Sequence, residues 1–124
     1  KNDYLWLFYI PLLYNDKKNL NKIEKLLKKK SIKSLCTFIN CKTHPYNVWK
    51  IVKNKPRRLF NVDNFTRQSL PKMYEHFHHI CLLKVSEINN LNSELIGKNT
   101  FPYILDNKIA EKLVEIDRPE DYKK

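Results

Sequence analysis

The chain has 124 residues, which is enough for one domain with a hydrophobic core or for part of a larger one. Its net charge of +11 favours an anionic partner, although a composition rich in lysine and asparagine gives this charge without one. A single glycine excludes a glycine-rich phosphate loop within these residues, and three cysteines without Cys-x-x-Cys spacing argue for a reducing, cytoplasmic setting.

The first forty residues predict a strand, a helix and a second strand. Residues 4–10 form a continuous apolar run that Pro11 ends, which is typical of a strand buried on both faces of a mostly parallel sheet. This run is too short to cross a membrane. Residues 17–30 carry an apolar stripe at helical spacing, formed by Leu20, Ile23, Leu26 and Leu27. With a second strand at 34–39, the order predicts a βαβ unit with ligand sites near Pro11 and Asn40.

Residues 41 to about 74 are predicted to form a long excursion, an irregular loop that leaves the sheet before the next strand. Proline, asparagine and basic residues are frequent there, as in a loop that lines a site or reaches a partner subunit. Cys41 and His44 could supply half of a zinc site, but no second pair at a suitable spacing completes it. We therefore do not predict zinc at this pair.

Three histidines precede the next predicted strand, residues 80–85. In an extended chain His76 and His78 share one face and His79 points to the other, so the three cannot easily converge on one metal ion. A short helix or turn capped by Ser86 follows. Residues 101–105 predict a fourth strand at a sheet edge, because a proline at its second position cannot donate to a ladder.

The densest acidic group lies near the end of the chain. A strand over residues 113–116 would place Glu115 and Asp117 on one face, with Cα atoms about 6.5 Å apart, within reach of one hard cation. Asp117 would also serve as the N-cap of a helix that begins with Pro119 in its first turn. Ordinary surface alternation of acidic and apolar residues explains the same pattern, so spacing alone leaves both interpretations open.

Four stretches in order resemble the C-terminal half of the acylneuraminate cytidylyltransferases, also called CMP-sialate synthetases. Residues 8–13 are similar to the family's P-T-S-P-L-R strand end, and residues 44–50 to its H-P-Y-x-x-W segment. Residues 66–74 closely match R-Q-x-L-P-x-x-Y, and residues 114–122 resemble I-D-I-D-x-x-x-D-F. The resemblance extends over nearly the whole chain.

The resemblance implies an α/β fold: a partial Rossmann-like nucleotidyltransferase sheet, built on the βαβ unit, with an extended dimerisation arm. Residues 1–40 would form the βαβ part of the nucleotidyltransferase domain. Residues 41–84 would form the arm and a segment of the sugar site, and residues 85–124 would return to the core with the acidic metal motif. The implied protein is a homodimer that joins a sialic-acid-like sugar acid to CMP, using CTP and Mg²⁺ and releasing pyrophosphate.

The resemblance also assigns residue roles. Asp117 would be catalytic and, with Glu115, would bind Mg²⁺; Arg67 would be catalytic and bind substrate across the dimer interface, beside Gln68. His78 would contact the sugar acid, at a position where the family has glycine.

The departures from the family pattern lead to two expectations. The glycine-rich nucleotide loop is absent, so we expect an incomplete enzyme that is inactive without an N-terminal half. The alternative is a non-catalytic basic protein that binds nucleic acid or only dimerises. Nucleic-acid binding is disfavoured because no aromatic residues interleave with the lysines of the predicted helix.

Overall fold

The computed structural model describes residues 3–9, 17–62, 66–113, 116 and 118–123. The strands are β1 (Tyr4–Phe8), β2 (Ser34–Asn40), β3 (Trp49–Val52), β4 (Lys55–Arg58), β5 (Tyr74–Lys84) and β6 (Thr100–Ile104). The helices are α1 (Lys17–Lys29) and α2 (Asn107–Ala110), and 3₁₀ turns lie at Pro45–Asn47, Arg67–Ser69, Val85–Asn90 and Pro119–Lys123. The protein is therefore α/β, as the sequence predicts.

The main sheet has four strands in the order β1-β5-β2-β6. β1 runs antiparallel to β5, with Tyr4 opposite Lys84, whereas β2 runs parallel to β6. The backbone N–H of Lys84 donates to the carbonyl of Lys33 (2.8 Å), and the N–H of Ile80 donates to the hydroxyl of Thr37 (3.2 Å). Residue numbers thus rise along β2 as they fall along β5, so these two strands are also antiparallel. β1 and β2 are parallel to each other, with β5 inserted between them.

The prediction of a mostly parallel sheet with a fully buried first strand is wrong. In the described part of the chain β1 is an edge strand, and the side chains of Leu5, Leu7 and Phe8 are exposed. The strand that separates β1 from β2 is β5, which arrives only after the long excursion. A local apolar run does not show whether another strand is inserted beside it, because apolar residues occur both in edge strands and in central strands.

One hydrophobic cluster joins α1 to the sheet. Ile23 is fully buried, and its cluster includes residues from β2, β5 and the turn before β2, namely Ile32, Leu35, Ile80 and Leu82. The other three residues of the predicted helical stripe pack against this cluster. The hydroxyl of Tyr103 donates to Oδ1 of Asn19 (2.6 Å), which ties α1 to β6 as well.

Two smaller clusters complete the core of the sheet. Cys36, Cys81 and Leu83 are covered by apolar side chains of residues 91–96. Ile39, Leu105 and Leu113 pack against residues of α2. In β2, the successive residues Leu35 and Cys36 therefore belong to different clusters, because successive side chains of a strand point to opposite faces.

Thr37 links β2 to β5 through its side chain. Its hydroxyl is fully buried, donates to the carbonyl of Phe77 (2.6 Å) and accepts from the N–H of Ile80. Replacing Thr37 by valine keeps the shape but leaves both backbone groups without this partner, so we expect the free energy of unfolding to fall by about 1–3 kcal/mol. Chemical denaturation measures this change. Thr37→Ser keeps the hydroxyl and is the control; equal losses in the two variants would contradict the role of the hydrogen bonds.

The chain divides into two compact units, residues 1–39 with 76–124 and residues 40–75. The second unit contains the β3–β4 hairpin, in a region where the sequence predicts an irregular loop. Lys53 and Asn54 at its tip have φ angles of 50° and 59°, as a type I′ turn requires. Lysine at the first turn position is an uncommon choice there, which is why the hairpin was missed. Within the described residues, no helix is long and apolar enough to cross a membrane.

Candidate functional site

The predicted acidic metal pair, Glu115 and Asp117, lies outside the described residues. Leu113 and Ile116, predicted to belong to the same strand, are described and are not in a strand. The predicted helix start after them is a 3₁₀ turn, and a carboxylate oxygen of Asp121 accepts from the N–H of Arg118 (3.1 Å). The start of the 3₁₀ turn Pro119–Lys123 is thus held by Asp121, an acidic residue within the turn.

Arg67 and Gln68 lie in the 3₁₀ turn Arg67–Ser69 of the second unit. The turn is closed by Ser69, whose backbone N–H donates to the carbonyl of Thr66 (3.0 Å) and whose hydroxyl accepts from the N–H of Thr66 (3.1 Å). Gln68 is exposed. The structure describes the backbone of Arg67 but not the position of its side chain, so its predicted role stays a prediction.

His44 connects two of the stretches that carry the family resemblance. Its Nδ1 accepts from the backbone N–H of Tyr46 (3.2 Å), so its Nε2 carries the proton and donates to the carbonyl of Pro71 (3.0 Å). This contact joins the His-Pro-Tyr turn to the Leu-Pro segment within the second unit. Both ring nitrogens of His44 are thereby used in hydrogen bonds within the second unit.

His78, predicted to contact the sugar acid, belongs to a cluster with His76 and Glu94 in the first unit. The two imidazole rings lie on the same side of β5, with centroids 4.5 Å apart. One carboxylate oxygen of Glu94, Oε2, lies 3.3 Å from Nδ1 of His76 and 3.2 Å from Nε2 of His78. The alternation of strand side chains predicted the pairing of the two histidines. Glu94 was missed because it lies in a loop and follows no spacing rule.

His79 takes the opposite role, as the alternation also predicts. It is 1% exposed, and neither ring nitrogen has a hydrogen-bond partner among the described residues. Burial lowers the pKa of His79, so its imidazole is neutral at neutral pH. His79 is therefore part of the interior and is not available to a ligand.

Aromatic rings and a structured loop hold the His76–His78–Glu94 cluster. The ring of Tyr9 lies 4.8 Å from that of His78, and the ring of Phe38 lies 5.4 Å from that of His76. The side-chain oxygen of Asn92 accepts from the backbone N–H groups of residues 94 and 96, at 3.0 and 2.9 Å. Glu94 thus projects from a turn with a fixed backbone.

The electrostatics of this cluster favour neutral imidazole at His76. Burial is the main cause that lowers the pKa of His76; the neighbouring His78 lowers it further, and Glu94 opposes both. Burial also raises the pKa of Tyr9, with smaller contributions from Cys81, Cys36 and Glu94. Tyr9 therefore keeps its phenolic proton at neutral pH.

The two thiols near Tyr9 form a buried pair. Sγ of Cys36 and Sγ of Cys81 are 3.3 Å apart on neighbouring strands, and neither residue forms a disulfide. Their hydrogen bond, together with burial, raises the pKa of Cys36. A buried neutral thiol is unreactive, so we assign this pair to the core rather than to chemistry.

A basic cleft lies at the opposite end of the parallel strand pair from the predicted ligand site. It has a volume of about 490 Å³ and is lined at the amino-terminal ends of β2 and β6 by Lys30, Lys33, Lys98 and Phe101, among others. Ligands of parallel α/β sheets bind beyond the carboxyl ends of the strands. We therefore do not assign the predicted activity to this cleft.

Comparison of the chain with protein-family models finds no match, and comparison with curated proteins finds no match either.

Proposed function

We propose that this chain is the C-terminal part of a cytidylyltransferase that activates a sugar acid to its CMP-sugar. The main support is the contact between His44 and Pro71, because it brings together two of the resembling segments that are far apart in the sequence. The two residues are 27 positions apart in the sequence and meet within the second unit. The α/β architecture of the first unit is compatible with this class of enzyme.

In the proposed enzyme, Glu115 and Asp117 hold Mg²⁺, because carboxylate oxygens are the ligands this hard dication prefers. The bound ion would neutralise charge on the triphosphate of CTP during loss of pyrophosphate. Arg67, from the partner subunit, adds positive charge beside the reacting phosphates. Gln68 and His78 bind the sugar acid. Because histidine stands at position 78, where the family has glycine, we do not assume that the sugar acid is sialic acid itself.

The exposed edge of β1 supports the proposal that this chain is one part of a larger sheet. Leu5, Leu7 and Phe8 are 44%, 39% and 44% exposed. A further strand paired to β1 would cover the open edge of its backbone, and the side chains of that strand would pack beside these three. In the proposed enzyme, that strand belongs to the half that also carries the nucleotide loop.

The direct test uses the protein with whatever its reading frame encodes upstream of Lys1. Pyrophosphate release is measured with CTP, ATP, GTP or UTP, Mg²⁺, and a panel of sialic acids and other sugar acids; the CMP-sugar is identified by mass spectrometry. We expect release only with CTP and a sugar acid together. If no combination releases pyrophosphate and RNA binds with an affinity that falls steeply with salt, the basic nucleic-acid-binding function replaces the proposal.

The second unit contains most of the proposed dimerisation arm, residues 41–84. Its described residues have seven exposed large apolar side chains: Val48, Trp49, Ile51, Val52, Leu59, Phe60 and Tyr74. A unit of this size with so much exposed apolar surface is typical of an interface. The partner we propose is a second copy of the chain.

Replacing Ile51 by aspartate is expected to convert the dimer to a monomer. Ile51 is 68% exposed at the hairpin, and an unpaired carboxylate buried in the interface would cost several kcal/mol. Sedimentation velocity measures the oligomeric state. Ile88→Asp, at an exposed isoleucine of the first unit, is the matched control and should leave the dimer intact. A dimer that survives Ile51→Asp would contradict the assignment of the arm.

A further inference from the structure

Two of the three separations between polar atoms in the His76–His78–Glu94 cluster match those of ligands on one metal ion. Two ligand atoms bonded to tetrahedral zinc at about 2.0–2.1 Å lie roughly 3.3 Å apart. The separations from Oε2 of Glu94 to the imidazole nitrogens of His76 and His78 are 3.3 and 3.2 Å. All three ligand atoms lie within 4.8 Å of one another. Only small side-chain movements would be needed to place an ion between them.

The donor set selects the class of metal. Two imidazole nitrogens and one carboxylate oxygen suit Zn²⁺ and neighbouring transition metals, whereas Mg²⁺ prefers oxygen donors. Sites with two histidines and one glutamate are typical of zinc sites that keep a coordination position open. Within the described residues this is the group of three metal-ligating side chains that converges.

Neighbouring residues hold the three proposed ligands in place without a metal. Both histidines project from β5, which pairs with β1 and β2 on its two sides. Phe38 packs against the ring of His76, and Tyr9 packs against that of His78. The Asn92 turn fixes the backbone of Glu94. Rigid support of this kind lowers the cost of ordering the ligands when an ion binds.

We propose that His76, His78 and Glu94 form a binding site for one divalent transition-metal ion of the Zn²⁺ class. Three protein ligands leave one position open to water or to an oxygen of a bound small molecule. The half-exposed side chains of His78 and Glu94 give that position access to solvent. This site is separate in residues and in metal preference from the proposed Mg²⁺ pair, and it does not depend on cytidylyltransferase activity.

Metal titration tests the proposal. Zn²⁺ binding to the chain is measured by competition with a chromophoric chelator, and Co²⁺ binding by its visible absorption, which reports coordination geometry. The variants are Glu94→Gln, His76→Gln and His78→Gln. Matched controls are Glu111→Gln, at an exposed carboxylate, and His44→Gln, at a histidine of the second unit. Thermal unfolding of each apo variant checks that it remains folded.

We expect one Zn²⁺ per chain and a tetrahedral Co²⁺ spectrum for the wild type. Each of the three cluster variants should weaken Zn²⁺ binding at least about 100-fold, because loss of a direct ligand exceeds the 10–100-fold effect of losing a supporting residue. The controls should bind as the wild type does. Absence of stoichiometric binding by the wild type, or equal affinity in the cluster and control variants, would overturn the site and leave the cluster as an ion pair with two histidines.

Discussion

Replacing Ile23 by alanine is expected to lower the free energy of unfolding by about 3 kcal/mol, within the range of about 2–5 kcal/mol found for large-to-small core substitutions. Ile23 is the fully buried member of the α1 stripe, and it contacts the cluster built from β2 and β5. The substitution removes apolar contact and leaves a cavity between helix and sheet. Urea denaturation followed by circular dichroism measures the change.

Two controls separate packing from helix propensity. Ile23→Val removes one methylene and should cost about 0.5–1.5 kcal/mol. Lys25→Ala, at an exposed position of the same helix, should change stability by less than about 0.5 kcal/mol. If Ile23→Ala costs no more than Lys25→Ala, α1 does not pack on the sheet through this residue and the described core is wrong.

Replacing Asp117 by alanine in the longer protein is expected to reduce CTP-dependent pyrophosphate release at least about 10³-fold. The proposed Mg²⁺ would lose a carboxylate ligand, and metal-based charge stabilisation contributes several kcal/mol to such reactions. Steady-state kinetics with the preferred sugar acid measures the effect. The thermal unfolding midpoint should change little, because the residue is proposed to act on the metal rather than in the core.

Two further variants at acidic positions serve as controls for the activity of Asp117→Ala. Glu115→Asp restores the residue that the resembling family has at this position and should keep activity. Glu111→Ala removes a nearby exposed carboxylate and should leave turnover unchanged. Near-normal turnover of Asp117→Ala would contradict the assignment of the acidic pair.

Local patterns in the sequence predict the elements that they directly encode. The 3.6-residue stripe through Ile23 predicts α1, and the short apolar run from Ser34 predicts β2, both close to their observed bounds. Pro102 predicts an edge strand, and β6 is at an edge of the sheet. In each case the residues that form the element also carry the signal.

Features that depend on distant residues were not predictable. The insertion of β5 between β1 and β2 depends on pairing after the excursion of residues 40–75, and no local period reports it. In the same way, strand alternation pairs His76 with His78, but only the fold brings Glu94 to them. Sequence predicted two ligands of the cluster as neighbours, and tertiary structure supplied the third.

The proposed sugar-acid site and the proposed transition-metal site both use His78. By resemblance His78 lies beside the sugar acid, and by geometry it is a ligand in the His76–His78–Glu94 cluster. Both hold together if the open position of the transition metal faces the sugar-acid pocket. A change in sugar-acid preference on addition of Zn²⁺, absent in Glu94→Gln, is the kinetic signature of that arrangement.

Complementation between two inactive variants tests the central claim, a cytidylyltransferase site shared across a dimer. Arg67→Ala and Asp117→Ala proteins are mixed in equal amounts, allowed to exchange subunits, and assayed for CTP-dependent pyrophosphate release. Each mixed dimer would contain one site with both native residues. Because half of the dimers are mixed, we predict recovery of about a quarter of wild-type activity. A mixture that stays as inactive as its components, beside an active wild type, would contradict the shared site; an inactive wild type would contradict the cytidylyltransferase itself.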